Sequence, residues 1–104
     1  MQHYYRIMVP TTMYDRQAPV EIVDAIRGEV KATMAQAFGG YTETVAMGGY
    51  VAESGALIEE PVYVIEASYE VEDDKLILGL AERVKAVLQQ ETVMIRKDHE
   101  VRFV

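Results

Sequence analysis

The sequence predicts a single α+β domain with its elements in the order strand, helix, strand, strand, helix, strand. Three observations carry that prediction. The chain has 104 residues, 50% of them hydrophobic and 26% charged, which suits one packed core and leaves no room for two. Two segments repeat apolar residues at helical spacing. The remaining periodic segments are rich in aromatic and β-branched residues and stop at turn signals.

Residues 3 to 9, HYYRIMV, read as a strand that stops at Pro10. A polar connection, PTTMYDRQA, leads to Pro19, which suits a first helical turn because its missing N–H is not needed there. Val23, Ile26, Val30, Met34 and Phe38 then recur three and four apart and mark one helical face. Gly39 and Gly40 end this helix. One of them is expected in the left-handed conformation, with Thr42 beginning the next strand.

That placement decides how to read FGGYTETVAMGGY, residues 38 to 50, which holds four of the seven glycines. Phosphates are cradled at helix N-termini, where N–H groups point outward. Gly39–Gly40 follows a helix, so the order is wrong for a nucleotide-binding glycine loop. Residues 42 to 52 form the second strand, and Gly48–Gly49 within it suggests a bulge or a close backbone approach. The turn is ESG, and PVYVIEASYE, 61 to 70, is the clearest strand in the chain. Asp73 is the expected N-cap of the second helix, whose first turn is acidic, as the helix dipole favours. Leu76, Leu80, Val84, Val87 and Leu88 are assigned to its buried face. The last segment, ETVMIRKDHEVRFV, is a strand with a break near Lys97–Glu100.

With right-handed crossovers, this order yields the ferredoxin-like βαββαβ unit. It has a four-stranded antiparallel sheet, the first and third strands central and both helices on one face. The other face is open. Strand alternation places Tyr4, Arg6, Met8, Val62, Val64, Glu66 and Ser68 there. Among them Arg6 and Glu66 sit on neighbouring strands and can pair, so Tyr4, Arg6, Glu66 and Ser68 are the candidate ligand-binding residues. The same pair also suits a dimer interface. Exposed Val62, Val64 and Met8 argue for a homo-oligomer, for example a dimeric α+β barrel, that closes the face.

Composition excludes other classes. Without cysteine there are no disulfides, thiolate nucleophiles or cysteine-built zinc sites. A net charge of −7 with scattered basic residues speaks against nucleic-acid and membrane-surface binding. No apolar run spans a bilayer and MQHYYRIMVP does not read as a secretory signal, so a cytoplasmic location is expected. No catalytic triad is readable, and no cofactor is implied. If Ile7 pairs with Ile95, His3 lies opposite His99, but the spacing lacks a metal motif. The acidic EVEDD run is a helix start, not a calcium loop. Tyr4, Tyr5, Tyr14, Tyr41 and Tyr50 lie near strand ends and loops, where hydroxyls can reach a ligand.

The segments FGGYTETVAMGGYVAESGALIEE, QQETVMIR and VRFV resemble a bacterial family of unknown function. The matching positions are Phe38, Gly40, Thr42, Gly48, Tyr50, Gly55, Glu59, Gln89, Val93, Arg96 and Phe103. The family typically carries Trp where Tyr50 stands here. The resemblance covers the C-terminal two-thirds and implies a fold without an activity. On fold alone, the short connection around 53 to 60 argues against trimers of the PII and CutA type, which use a long loop there. The expectation is a non-catalytic homo-oligomeric binding or regulatory module. The alternative is a small cofactor-independent monooxygenase- or isomerase-like enzyme, or ligand-binding barrel, that uses the open sheet face.

Overall fold

A computed structural model describes residues 2–13 and 16–104; Tyr14 lies outside the described residues. The elements are β1 (His3–Val9), β2 (Thr12–Met13), β3 (Arg16–Gln17), α1 (Val20–Phe38), β4 (Thr42–Val51), β5 (Leu57–Tyr69), α2 (Asp74–Val87), β6 (Met94–Lys97) and β7 (Glu100–Phe103). The fold is ferredoxin-like α+β, with its two central strands, β1 and β5, paired antiparallel as expected. Its sheet has five strands, in the order β4-β5-β1-β6-β7, and not four.

The extra strand comes from the break near Lys97–Glu100. Asp98 takes a φ of 53°, and a two-residue loop returns the chain so that Lys97 pairs with Glu100 and Met94 with Phe103. Asp is one of the few side chains that tolerates this region. The connection before α1 also carries structure, a two-residue ladder in which Thr12 pairs with Gln17.

The core lies between the sheet and the helices. Tyr5, Ile7 and Val9 from β1, Ile65 and Ala67 from β5 and Ile95 from β6 meet the α1 face Val23, Ile26, Val30, Met34 and Phe38. Phe38 closes one end, stacked on Tyr5 with ring centroids 5.2 Å apart and tilted against Tyr69 at 5.7 Å. The buried face of α2 is Ile77, Leu80, Ala81, Val84 and Leu88. Leu76 and Val87, assigned to that face from sequence, are only partly buried. Leu80, Val84 and Leu88 stand as assigned, while the first turn buries Ile77 in place of Leu76 and the middle of the face adds the small Ala81. Asp73 caps the helix as expected and accepts the Leu76 N–H at 3.2 Å. Tyr5 ties this cap to the sheet, since its hydroxyl accepts the Asp73 N–H and donates to Asp74. Burial raises the Tyr5 phenol above its ordinary range.

Gly39 holds φ 86° and its N–H bonds to Ala35 O, so it ends α1 as a left-handed cap. Thr42 opens β4, as predicted. The β4–β5 hairpin is much longer than the sequence suggested, since β5 begins at Leu57 and pairs with Val51. The turn is reduced to Ala52–Ala56, where Gly55 holds φ 87°. The distal half of this arm extends past the helices. Thr11 Oγ1 donates to Pro61 O on the arm, and nearer the body Glu43 accepts from Arg27 at 2.8 Å and from Lys31 on α1, while Arg27 lies 4.0 Å over the Tyr63 ring. On the arm beyond Glu43, the residues Val45, Met47, Val51 and Leu57 are all more than 60% exposed.

This corrects the expected origin of exposed apolar surface. Val62 and Val64 face away from the helices but are buried, and Met8 is half-buried. The exposed apolar side chains include those of the arm and, on β7, Val101 and Phe103. Among the described residues no helix is long and apolar enough to cross a membrane.

Candidate functional site

The sheet register places side chains of alternate residues in rows across the uncovered face. One row runs Thr42, Glu66, Arg6, Arg96, Val101 over all five strands. Tyr4 lies opposite Ser68 one step along, and Met8 opposite Val64 on the other side. The face therefore has a polar band, continued by Tyr4 and Ser68 on one side and bordered by apolar Met8 and Val64 on the other.

The structure brings Tyr4, Arg6 and Glu66 together. Arg6 Nη2 lies 3.3 Å from Glu66 Oε2, and its Nε donates to the Tyr4 hydroxyl at 3.0 Å. These are half-buried side chains, and the ion pair is long, so its strength falls well below that of an ideal two-bond fork. Ser68 shares the face but sits apart from the pair, at the rim of a depression of about 310 Å³. That depression is lined by Gly39, Gly40, Tyr41, Thr42, Glu66 and Ser68, among others. The Gly39–Gly40 pair thus serves two ends: it caps α1 and presents bare backbone to the hollow. No side-chain atom lies within 4 Å of where a Cβ would stand at either glycine.

Three features went unseen in the sequence reading. Arg96 was not sorted to a face, yet its guanidinium lies 5.3 Å over the Tyr4 ring, beside Arg6 at 5.8 Å. Its Nε donates to Asp98 O at 2.6 Å. The signal was available, because the Ile7–Ile95 register assumed for the histidines places Arg6 beside Arg96. The second is Glu60, which is 8% exposed and whose Oε2 is a buried oxygen without a partner among the described residues. Glu60 has the parity of Val62 and Val64, so alternation alone would have put it on the same face. It stands six residues from Glu66, roughly 20 Å along the strand, and belongs to a separate part of the face. The third is a wider hollow of about 380 Å³ along the end of α2, lined by Glu82, Lys85, Ala86, Gln89, Gln90 and Glu91. Glu82, Gln89 and Glu91 are exposed surface chains there, and the Gln90 amide is already spent on Thr12 O and Leu88 O.

The histidines do not meet. His3 turns its Nδ1 to Asp98 at 3.3 Å and its Nε2 toward Glu72 at 3.9 Å, while His99 is exposed in the turn. Lys97 bridges Glu72 and Asp74 nearby, and those hydrogen bonds hold it above the usual lysine range. Among the described residues no three metal-ligating side chains gather.

Comparison with known proteins adds the fold and little else. No family model matches the chain and no curated protein matches it. Among solved structures, a phage SAM lyase in complex with S-methyl-5'-thioadenosine has a TM-score of 0.72 at 18% identity, covering 99% of this chain and 88% of that one. The same kind of lyase in its apo state gives 0.66 at 17% identity, covering 98% and 87%. A periplasmic divalent cation tolerance protein, CutA, from Archaeoglobus fulgidus gives 0.55 at 12% identity, covering 100% and 88%. The CutA likeness corrects the argument from the short connection. The strands themselves lengthen into an arm, so a short turn does not separate this chain from that fold.

Proposed function

We propose that this protein is a homo-oligomer that binds a small nucleoside-type molecule at the Glu66 end of its uncovered sheet face. The observation that carries this is the Glu66 carboxylate, held on one oxygen by Arg6 and bordering the glycine-lined hollow. A half-buried carboxylate is an acceptor suited to a vicinal diol such as that of ribose, a role acidic side chains also take beside dinucleotides. Thr42 and Ser68 add hydroxyls, Gly39–Gly40 allow close approach, and Tyr41 presents a ring at the rim. The fold likeness to a lyase complex with S-methyl-5'-thioadenosine supports the choice of thioether and sulfonium nucleosides as the first ligands to test.

The exposed arm residues Val45, Met47, Val51 and Leu57 support self-association. A second reading, that binding proceeds to cleavage of a sulfonium, rests on the same likeness. Such a step returns the carbon–sulfur bonding pair to sulfur as a neutral thioether, while the released carbon takes a bond from the ligand's own carboxylate oxygen or loses an adjacent proton to a base and becomes an alkene.

Calorimetric titration of the protein with S-methyl-5'-thioadenosine and with S-adenosylmethionine tests both. Saturable heat from at least one ligand is expected, reduced about tenfold or more in Glu66→Gln, which keeps the shape and loses the charged acceptor. Absence of saturation with either ligand at millimolar concentration rejects the nucleoside reading. Chromatography of the S-adenosylmethionine mixture then decides turnover, since a lyase must accumulate the thioether with time.

A further inference from the structure

Arg96 differs from four other arginines of the chain. Arg6, Arg27, Arg83 and Arg102 each face a carboxylate, at Glu66, Glu43, Glu29 and Glu100. Arg96 is half-buried, in a chain with 17 acidic residues against 10 basic ones, yet it makes no ion pair among the described residues. Only its Nε is engaged, by Asp98 O, and its two Nη nitrogens have no hydrogen-bond partner among the described residues. The nearest side-chain acid of that turn is spent elsewhere: Asp98 accepts the Tyr4 N–H and faces His3.

The surroundings narrow what such a group would hold. The Tyr4 ring supports the guanidinium from below, so the planar fork is oriented before any ligand arrives. The Tyr4 hydroxyl already accepts from Arg6, which leaves its own proton to donate. Glu66 stands in the same row and repels a dianion more than a monoanion. Directly across from Arg96 is Val101, with Met94 and Phe103 paired beside it. Val101 is 52% exposed and Phe103 67% exposed, an apolar shelf next to an unpaired guanidinium.

We propose that Arg96 and the Tyr4 hydroxyl form a recognition site for a small monocarboxylate whose apolar tail lies on Val101 and Phe103. The site is separate from the nucleoside reading, and its test uses no nucleoside. The full chain is titrated with hexanoate, acetate and inorganic phosphate while arginine Nε–Hε signals are followed in ¹H–¹⁵N spectra.

Hexanoate shifts the Arg96 signal to saturation and binds about tenfold or more tighter than acetate, because its methylenes leave water on the shelf. Arg83, paired with Glu29 on the helix surface, stays still. Read at Arg6, Arg96→Lys weakens hexanoate about tenfold, since lysine keeps the charge and lacks the fork. Phe103→Ser brings hexanoate down toward acetate and leaves acetate unchanged. Shifts that grow linearly without saturation overturn the site, as do equal shifts at Arg83. Wild-type hexanoate binding in Arg96→Lys does the same, and phosphate saturating more tightly than hexanoate overturns the carboxylate assignment.

Discussion

Replacing Glu43 with Gln probes how the long β4–β5 arm is fastened to the body. Glu43 is the one charged residue on the helix-facing side of β4, and beyond it that side is exposed to water. Both its oxygens receive hydrogen bonds from Arg27, and Lys31 adds a third contact. Exposed ion pairs contribute up to about 1 kcal/mol, whereas breaking a fully buried pair costs about 3–5 kcal/mol. With side chains 16% and 26% exposed, this pair lies between those limits. Glutamine keeps one acceptor oxygen, and Arg27 keeps its seat over Tyr63, so the loss should be about 2 kcal/mol, or roughly 10 °C in melting temperature.

The pH dependence separates this cause from a packing defect. The Arg27 hydrogen bonds hold the Glu43 carboxyl below its ordinary value of 4.5. A carboxyl depressed by folding contributes stability that is complete above the unfolded value and is lost as pH falls through the folded one. Urea unfolding of wild type and Glu43→Gln at pH 7 and pH 3 should therefore show a gap that narrows at the lower pH. A gap under about 0.5 kcal/mol at pH 7, the size of an ordinary surface change, would refute the reasoning. A gap of the same size at both pH values would refute it too.

Gly39→Ala should cost about 1 kcal/mol through its positive φ alone, since no atom crowds the new Cβ. Gly40→Ala, without positive φ and equally uncrowded, should stay within about 0.5 kcal/mol of wild type, and equal melting of all three proteins would contradict the cap assignment. Light scattering at micromolar concentration should return a multiple of 11.7 kDa, and the mass of one chain would contradict self-association. Leu57→Asp on the exposed arm should shift that mass toward the single chain, and an unchanged assembly would move the interface elsewhere.

Much of the fold was legible because each local signal agreed with the next. Val23 through Phe38 had one periodicity, the glycines that followed stood where a helix ends, and Asp73 stood where a cap belongs. The fifth strand was half-visible. The break at Lys97–Glu100 was read, but a positive φ at Asp98 is carried by one residue whose turn preference is weak beside that of glycine. The arm was harder, because Pro61 and the paired acids Glu59 and Glu60 look like a connection. β5 admits them because Pro61 and Glu59 are exposed while only Glu60 is buried. For the site, alternation and register were enough to place Arg6 beside Glu66 and Tyr4. The same register places Arg96 beside Arg6, but its burial depends on β7 folding back beside β6, which the sequence did not show.

The most direct test of the binding account is to locate the ligand on the protein. In ¹H–¹⁵N spectra recorded during titration with S-methyl-5'-thioadenosine, the saturating backbone shifts should cluster at Gly39, Gly40, Tyr41, Thr42, Glu66, Ala67 and Ser68, the residues around the hollow. Saturating shifts centred on Glu82, Lys85 and Gln89 at the end of α2, or no saturating shifts at all, would contradict it.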